Sequence, residues 1–238
     1  MFEVIPKSQP MIKNTFAYTI YIGILLLLVL GCASYQPTVV EHPIPFGDTR
    51  QELTREYLKN RYGLPGTDAG IRPRMIVLHW TAIPTLKGSL DAFEPERLPG
   101  ARGDIQSAGA LNVSAHYLID RDGTIYQLMP DTIMARHTIG LTHCSIGIEN
   151  VGGTPETPLT EAQFKSNQWL VRQLADKYPI EYLIGHYEYT AFEGHPLWLE
   201  KDAGYRTEKT DPGAEFMRNI RRSLKDLAFK PIPEIPKR

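Results

Sequence analysis

Met75-Ile76-Val77-Leu78-His79-Trp80 is the stretch that decides the fold. Met75 to Leu78 are all apolar, so both faces of a strand made from them would be hydrophobic. That pattern is typical of a central strand covered by a layer on each side. His79 follows at the carboxyl end, where α/β sheets commonly present their chemistry. A histidine beside a buried strand is more often a core residue than a ligand, so this position alone does not predict a site.

The segments around this strand alternate between helical and extended patterns. An amphipathic helix is predicted from Asp48 or Thr49 to about Tyr62. Further along, the patterns predict a β-hairpin over 113–128 with its turn at Asp120–Gly123, strands at Ile133–His137, Ser145–Asn150 and Glu181–His186, and helices at Thr160–Tyr178 and 213–228. Thr160 and Gln163 form a capping-box pattern at the start of the longest helix. We therefore expect one α/β domain, with a central mixed β-sheet flanked by helices.

Two long irregular segments interrupt this pattern. Residues 81–112 contain several Gly, Pro and Ser residues, and residues 187–208 form a second insertion with several aromatic side chains. Loops of this length in a compact domain more often serve as binding or lid segments than as filler. We expect the second insertion to line a substrate groove.

The composition limits the range of functions. The chain has 238 residues, 42% hydrophobic and 22% charged, with a formal net charge of −1. These values fit one soluble globular domain with some extra sequence, and they give no basic field for nucleic acid. We expect no nucleic-acid partner and a monomer. The two cysteines, Cys32 and Cys144, are too few for a disulfide framework.

The N-terminal sequence resembles a bacterial lipoprotein signal. Phe16 to Leu30 is a nearly continuous apolar run of signal-peptide length, and Val29-Leu30-Gly31-Cys32-Ala33 resembles the lipobox, in which the cysteine is lipidated. Translation could start at Met1 or Met11, and an uncleaved anchor is the alternative. The predicted organisation is a signal peptide at 1–31, a linker at 32–48 after lipidated Cys32, the folded domain at 49–228 and a proline-rich tail at 229–238. We expect a lipid-anchored envelope protein, in the outer membrane and facing the periplasm.

Three side chains lie at or just beyond the ends of predicted elements. His79 and His186 each end a strand, and Asp211 stands in Lys209-Thr210-Asp211-Pro212-Gly213, ahead of the last helix. Asp-Pro-Gly is also typical of a helix start, so we expect Asp211 to cap that helix as well. Two imidazoles and a carboxylate suit catalytic zinc, although copper or iron could use similar ligands. The chain has no HExxH motif.

Six short segments, taken together, resemble one known family. The chain is similar to the zinc-dependent N-acetylmuramoyl-L-alanine amidases, which include phage cell-wall amidases and animal peptidoglycan-recognition proteins. The matching segments occur in the family's order and span about Ile76 to Gly213. They read IVLHWTA, NVSAHYLIDRDGTIYQL, ARHTIG, SIGIEN, IGH and KTDPG.

The resemblance implies a reaction and a site. His79, His186 and Asp211 match the family's Zn²⁺ ligands, Glu149 its catalytic acidic residue and Lys209 its catalytic lysine. The implied reaction is hydrolysis of the amide between N-acetylmuramic acid and L-alanine in peptidoglycan or muropeptides. His137 is a candidate substrate contact, and His116 is expected to be either structural or near the substrate. The 187–208 insertion departs from compact members of the family, and its His195 is an alternative to His186 as the second ligand.

Three alternatives remain open at the level of sequence. Some members of the family have lost a ligand, so the chain could be a peptidoglycan-binding lipoprotein without activity. Cys144 could serve a thiol amidase together with His137 or His143, although a small buried cysteine is the ordinary interpretation. A purely structural envelope lipoprotein is the third.

Overall fold

The computed structural model describes residues 1–3, 35–100 and 103–234. The chain divides into two units, Met1–Tyr35 and Gln36–Arg238, and all elements named below belong to the second. Cys32 and nearly all of the predicted signal peptide lie outside the described residues. Within the described ranges, no helix is both long and apolar enough to cross a membrane.

A mixed sheet forms the centre of the second unit. Its six strands are β1 (Val39–Glu41), β2 (Met75–Leu78), β3 (Tyr117–Ile119), β4 (Ile125–Gln127), β5 (Ser145–Asn150) and β6 (Tyr182–Gly185). They are arranged in the order β1-β4-β3-β5-β2-β6. Strands β3, β5, β2 and β6 are mutually parallel, whereas β4 is antiparallel to β3 and parallel to β1. The predicted mixed sheet and hairpin are confirmed.

Helices cover both faces of this sheet. They are α1 (Asp48–Tyr62), α2 (Leu86–Phe93), α3 (Gly103–Gln106), α4 (Glu161–Lys177) and α5 (Ala214–Ser223), with 3₁₀ helices at His186–Phe192 and Lys225–Leu227. Met75 and Val77 of β2 pack in the same hydrophobic cluster as α1, whereas Ile76 and Leu78 pack in the cluster that contains α4 and α5. The prediction of a central strand buried on both faces is therefore confirmed.

The predicted capping box begins helix α4. The Thr160 hydroxyl accepts from the Gln163 N–H at 3.1 Å, and Gln163 Oε1 accepts from the Thr160 N–H at 2.9 Å. Gln163 Nε2 then donates to the carbonyls of Ile119 and Val151. One side chain therefore caps the helix and holds it against the ends of two strands.

The structure corrects the predicted linker and tail. Residues 39–41 form strand β1 on β4, and Ile44 is only 4% exposed within a core cluster, so the second half of segment 32–48 belongs to the domain. In the tail, the Lys230 N–H donates to the Glu181 carbonyl at 2.8 Å, and Ile232 packs against the core. Both segments are too short and irregular to show a hydrophobic period, which is why they looked unstructured.

Two further elements differ from expectation. Residues 133–137 form no strand, and only an isolated bridge joins Ile133 to Gly70. The last helix begins at Ala214 and ends at Ser223, and a 3₁₀ turn replaces its predicted end.

Truncation of one side chain in the supposed linker tests its place in the core. We expect Ile44→Ala to lower the free energy of unfolding by about 2–5 kcal/mol, because it removes buried methyl groups and leaves a cavity. Val39→Ala is the matched control, since Val39 is 46% exposed on the edge strand, and should cost less than about 1 kcal/mol. Urea unfolding of both variants measures the difference. If both variants unfold with nearly the wild-type free energy, Ile44 does not belong to the core and the segment is a linker.

Candidate metal centre

Three neighbouring parallel strands bring the predicted residues to one level of the sheet. Leu78 of β2 is paired with Ile148 of β5 and with Gly185 of β6. The residues that follow these three positions are His79 after Leu78, Glu149 after Ile148 and His186 after Gly185. Since the carboxyl ends of parallel strands meet at one edge, these side chains are presented side by side there.

The backbone of His79 is fixed by the end of β5. The His79 N–H donates to the Ile148 carbonyl at 2.8 Å, and the His79 carbonyl accepts from Asn150 Nδ2 at 2.9 Å. Asn167 Nδ2 of α4 in turn donates to Asn150 Oδ1 at 2.7 Å. These buried amides hold the carboxyl end of β2 in place.

Asp211 reaches the same edge from the loop before α5. Its carbonyl accepts from the Tyr187 N–H at 3.1 Å, next to His186. The expected capping role is wrong: the N-cap of α5 is Gly213, with φ of 91° and no side-chain cap, and the Asp211 carboxylate turns towards the histidines instead. The peptide bond between Asp211 and Pro212 is cis.

His79, His186 and Asp211 form a tight triangle of ligand atoms. His79 Nδ1 lies 3.0 Å from His186 Nδ1 and 3.1 Å from Asp211 Oδ2, and the latter two atoms are 3.0 Å apart. All three residues are buried. In a tetrahedral zinc site with bonds of about 2.0–2.1 Å, ligand atoms lie roughly 3.3 Å apart. The donor set and its spacing therefore fit a zinc ion.

The charge states of two of these ligands also suit a cation. Burial lowers the pKa of His186 to about 4, with His79 adding to the effect and Asp211 opposing it. Burial acts to raise the pKa of Asp211, but the adjacent His186, with a smaller contribution from His79, outweighs it and holds that pKa well below its ordinary value. At neutral pH the centre thus offers a neutral His186 and an ionised carboxylate, the forms that bind metal.

A cavity of about 290 Å³ opens beside the triangle. Its lining includes His186, Asp211, Glu149 and Lys209, together with His137. The structure therefore brings the predicted acidic residue and lysine to the same cavity as two of the predicted ligands.

The two long irregular segments both line this cavity. Ile105 contributes from the first, and Tyr205 and Thr207 from the second. Arg136 joins them, because its guanidinium donates to the Ile105 carbonyl at 2.8 Å and to Tyr205 Oη at 3.2 Å. No pattern in the sequence indicates this role of Arg136, because it depends on a contact with a residue 69 positions away.

Helix α1 supports the second segment from the other side. Arg61 Nη2 lies 2.8 Å from the Glu200 carboxylate, and its guanidinium stacks over the Tyr205 ring at 4.5 Å. The Lys201 N–H donates to the Arg61 carbonyl at 3.1 Å. The insertion is thus packed as part of the cavity wall.

His116 does not contact the cavity. Its Nδ1 accepts from the Gly147 N–H at 3.0 Å, and its Nε2 donates to the Ile133 carbonyl at 2.9 Å. The side chain is fully buried, and both of its ring nitrogens form hydrogen bonds with main-chain groups. Of the two roles expected for His116, structural or substrate-contacting, these contacts favour the structural one.

The remaining candidates fall outside the cluster. Among the described residues, His79, His186 and Asp211 are the group able to hold a metal ion, without His195, whose Nε2 lies 3.2 Å from Tyr182 Oη. Cys144 is buried, its thiol donates to the Leu141 carbonyl, and burial raises its pKa to about 12. A thiol that stays protonated is a poor nucleophile, which argues against the thiol amidase.

Comparison with known proteins decides the family. A family model described as N-acetylmuramoyl-L-alanine amidase matches residues 69–214, more than half of the chain. The chain belongs to this family. The matched range contains both histidines, Glu149, Lys209 and Asp211. The resemblance inferred from six short segments is confirmed at this level.

Three proteins illustrate the relationship of this amidase-family chain to others. The 1,6-anhydro-N-acetylmuramyl-L-alanine amidase AmpD of Salmonella typhimurium is 30% identical over 159 residues, which cover 61% of this chain and 76% of AmpD. The endolysin of Escherichia phage T7 is 34% identical over 85 residues. These residues are 34% of this chain, and the chain spans only 56% of the length of that endolysin. The solved structure of the amidase LysC from Clostridium intestinale URNW is similar in fold, with a TM-score of 0.50 and 22% identity over 80% of this chain and 99% of LysC.

Protonation of His116 should make the stability of the domain depend on pH. Burial lowers its pKa to about 4 from 6.5, so the unfolded chain binds the proton more readily. The stabilisation is complete above about pH 6.5 and is lost as the pH falls towards 4, by at most about 3 kcal/mol. His116→Gln does not titrate, so the stability of wild type relative to this variant should fall over that range.

Urea unfolding of both proteins at several pH values measures this difference. The other buried histidines titrate in both proteins, so most of their contribution cancels, and the repulsion between charged His116 and His137 adds to the loss in the wild type. A difference that does not change between pH 6.5 and pH 4 would contradict the assignment.

Proposed function

We propose that the protein is a zinc-dependent N-acetylmuramoyl-L-alanine amidase. It would hydrolyse the amide that joins the lactyl group of N-acetylmuramic acid to L-alanine in peptidoglycan or muropeptides. The observation that carries this proposal is the triangle of His79, His186 and Asp211 beside a cavity lined by Glu149 and Lys209. Family membership supports the reaction class.

The metal and two side chains divide the chemistry. Zinc, when bound by the three ligands, supplies Lewis acidity and makes water a nucleophile near neutral pH. Glu149 accepts a proton from the attacking water and delivers it to the nitrogen of L-alanine as the C–N bond breaks. Lys209 donates a hydrogen bond to the oxygen of the scissile carbonyl as it gains negative charge. The products are a lactyl carboxylate and a free amine.

The surroundings of the centre support an orientation for the substrate. The cavity beside the ligands is lined by Arg136, Lys209 and Glu149, whereas a second groove of about 710 Å³ is lined largely by apolar side chains. Trp80 borders both. The stem peptide carries carboxylates and the sugar is mainly uncharged, so we place the peptide in the cavity and the muramyl ring along the groove.

We also propose that Cys32 carries a lipid that anchors the protein to the outer membrane on its periplasmic side. The lipobox-like sequence ending at Cys32 is the support for this proposal. A labelled fatty acid should be incorporated into the wild-type protein and not into Cys32→Ala, which lacks the thiol that would carry the lipid. Wild-type protein that takes up no label would contradict lipid anchoring.

Two substitutions should separate metal binding from catalysis. Asp211→Ala removes a ligand, so both zinc and activity should be lost. Lys209→Ala leaves the three ligands intact, so zinc should remain while the rate falls by about 10²–10³-fold. Metal analysis of the purified full-length proteins and release of stem peptide measure the two effects. An Asp211→Ala variant that stays zinc-loaded and active would rule out the ligand assignment.

Mass analysis of digested peptidoglycan and of anhydro-muropeptides tests the reaction itself. We expect free stem peptides that begin with L-alanine, no product after treatment with a chelator, and recovery when zinc is restored. A thiol alkylator should have no effect. Zinc-loaded protein that binds peptidoglycan without releasing peptide would instead show a binding module of the same fold.

A further inference from the structure

The ring of His137 lies between the metal centre and the start of strand β5. His137 Nδ1 is 3.0 Å from His79 Nε2, the nitrogen that points away from the ligand triangle. His137 Nε2 lies 3.2 Å from Ser145 Oγ and 3.3 Å from the Ser145 carbonyl oxygen. A Cβ at Gly147 would come within 2.7 Å of the His137 ring, so only glycine leaves space for it there. The ring is therefore held in one position by contacts on several sides.

The direction of each hydrogen bond in this series can be assigned by starting from the Leu141 carbonyl, which contacts Ser145. The Leu141 carbonyl oxygen can only accept, so Ser145 Oγ donates its hydrogen to it at 2.8 Å. Ser145 Oγ, like the Ser145 carbonyl oxygen, is then left as an acceptor for His137. His137 Nε2 must carry the hydrogen, and in a neutral imidazole the other nitrogen is then bare.

The same logic continues to the metal ligand. A bare His137 Nδ1 accepts a hydrogen bond, and His79 Nε2, 3.0 Å away, is the donor. A hydrogen on His79 Nε2 leaves His79 Nδ1 with a free lone pair. That atom is the one that faces His186 Nδ1 and Asp211 Oδ2.

We infer that His137 is a positioning residue for metal binding, which fixes His79 in the Nε2–H tautomer and so turns the Nδ1 lone pair towards the metal. The inference rests on the proposed zinc site, yet it concerns a property that His79 has before any metal binds. Hydrogen-bond partners of this kind fix the tautomer and orientation of ligating histidines.

The Thr138 hydroxyl offers a competing arrangement. Thr138 Oγ1 lies 2.9 Å from His137 Nδ1 and 3.5 Å from His79 Nε2, so it could donate to His137 instead. If His79 were protonated at Nδ1 in that arrangement, His79 Nε2 and His137 Nδ1 would be two bare nitrogens 3.0 Å apart, with their lone pairs opposed. The Nε2–H tautomer of His79 turns that repulsion into a hydrogen bond, so the geometry favours it.

Nitrogen NMR of the metal-free, histidine-labelled full-length protein reads the tautomer directly. We expect His79 to be protonated at Nε2 in the wild type and to become a mixture of tautomers in His137→Leu. Wild-type His79 protonated at Nδ1 would overturn the inference. This measurement requires neither zinc nor activity, so its result is independent of whether the amidase proposal holds.

Zinc affinity, measured by competition with a chromophoric chelator, gives the second readout. His137→Leu should weaken zinc binding by about 10–100-fold. His137→Asn should retain most of the affinity, because its amide oxygen can replace Nδ1 as acceptor. His42→Leu is the control for a histidine-to-leucine change, since His42 packs against Tyr126 instead. Equal affinity in the Leu variant and the wild type, or equal loss in the Asn and Leu variants, would contradict the role.

Discussion

The register between β5, β2 and β6 is the constraint on which the rest of the site depends. It places His79, Glu149 and His186 one residue beyond the last positions at which β2 pairs with β5 and with β6. A slip by one residue in a strand would turn its side chains to the opposite face. Because both faces of β2 are packed in hydrophobic clusters, such a slip would also bury the wrong side chains. Core packing and site geometry are therefore specified together.

The centre itself is held by groups that the hydrophobic core cannot supply. Three ligand atoms that all carry lone pairs converge within 3.0–3.1 Å, an arrangement that a cation or shared protons must stabilise. Buried polar side chains hold His79 from two directions, with Asn150 on its carbonyl and His137 on its ring. Such networks are stabilising only when each member has its partner. This requirement explains why so many polar residues lie at this edge of the sheet.

Patterns in the sequence predicted what depends on local period and residue type. The apolar run at β2, the capping box at Thr160 and the hairpin turn at Gly123 all became elements of the expected kind. Contacts between distant segments were not predictable in this way. Asp211 was expected to cap a helix because Asp-Pro-Gly is typical of a helix start, but the histidines attract its carboxylate more strongly. Likewise, no local pattern showed that Arg136 would join two long segments or that β1 would complete the sheet.

The early start of the sheet at Val39 limits how far a lipid-anchored form could work from its membrane. Seven chain steps separate Val39 from Cys32, the proposed point of attachment. At about 3.3–3.6 Å for each step, a fully extended chain would span at most roughly 25 Å. The first strand of an anchored enzyme would therefore stay within this distance of the membrane, and the enzyme would reach only the layer of cell wall next to the membrane. Its range would be set by where a three-residue strand begins.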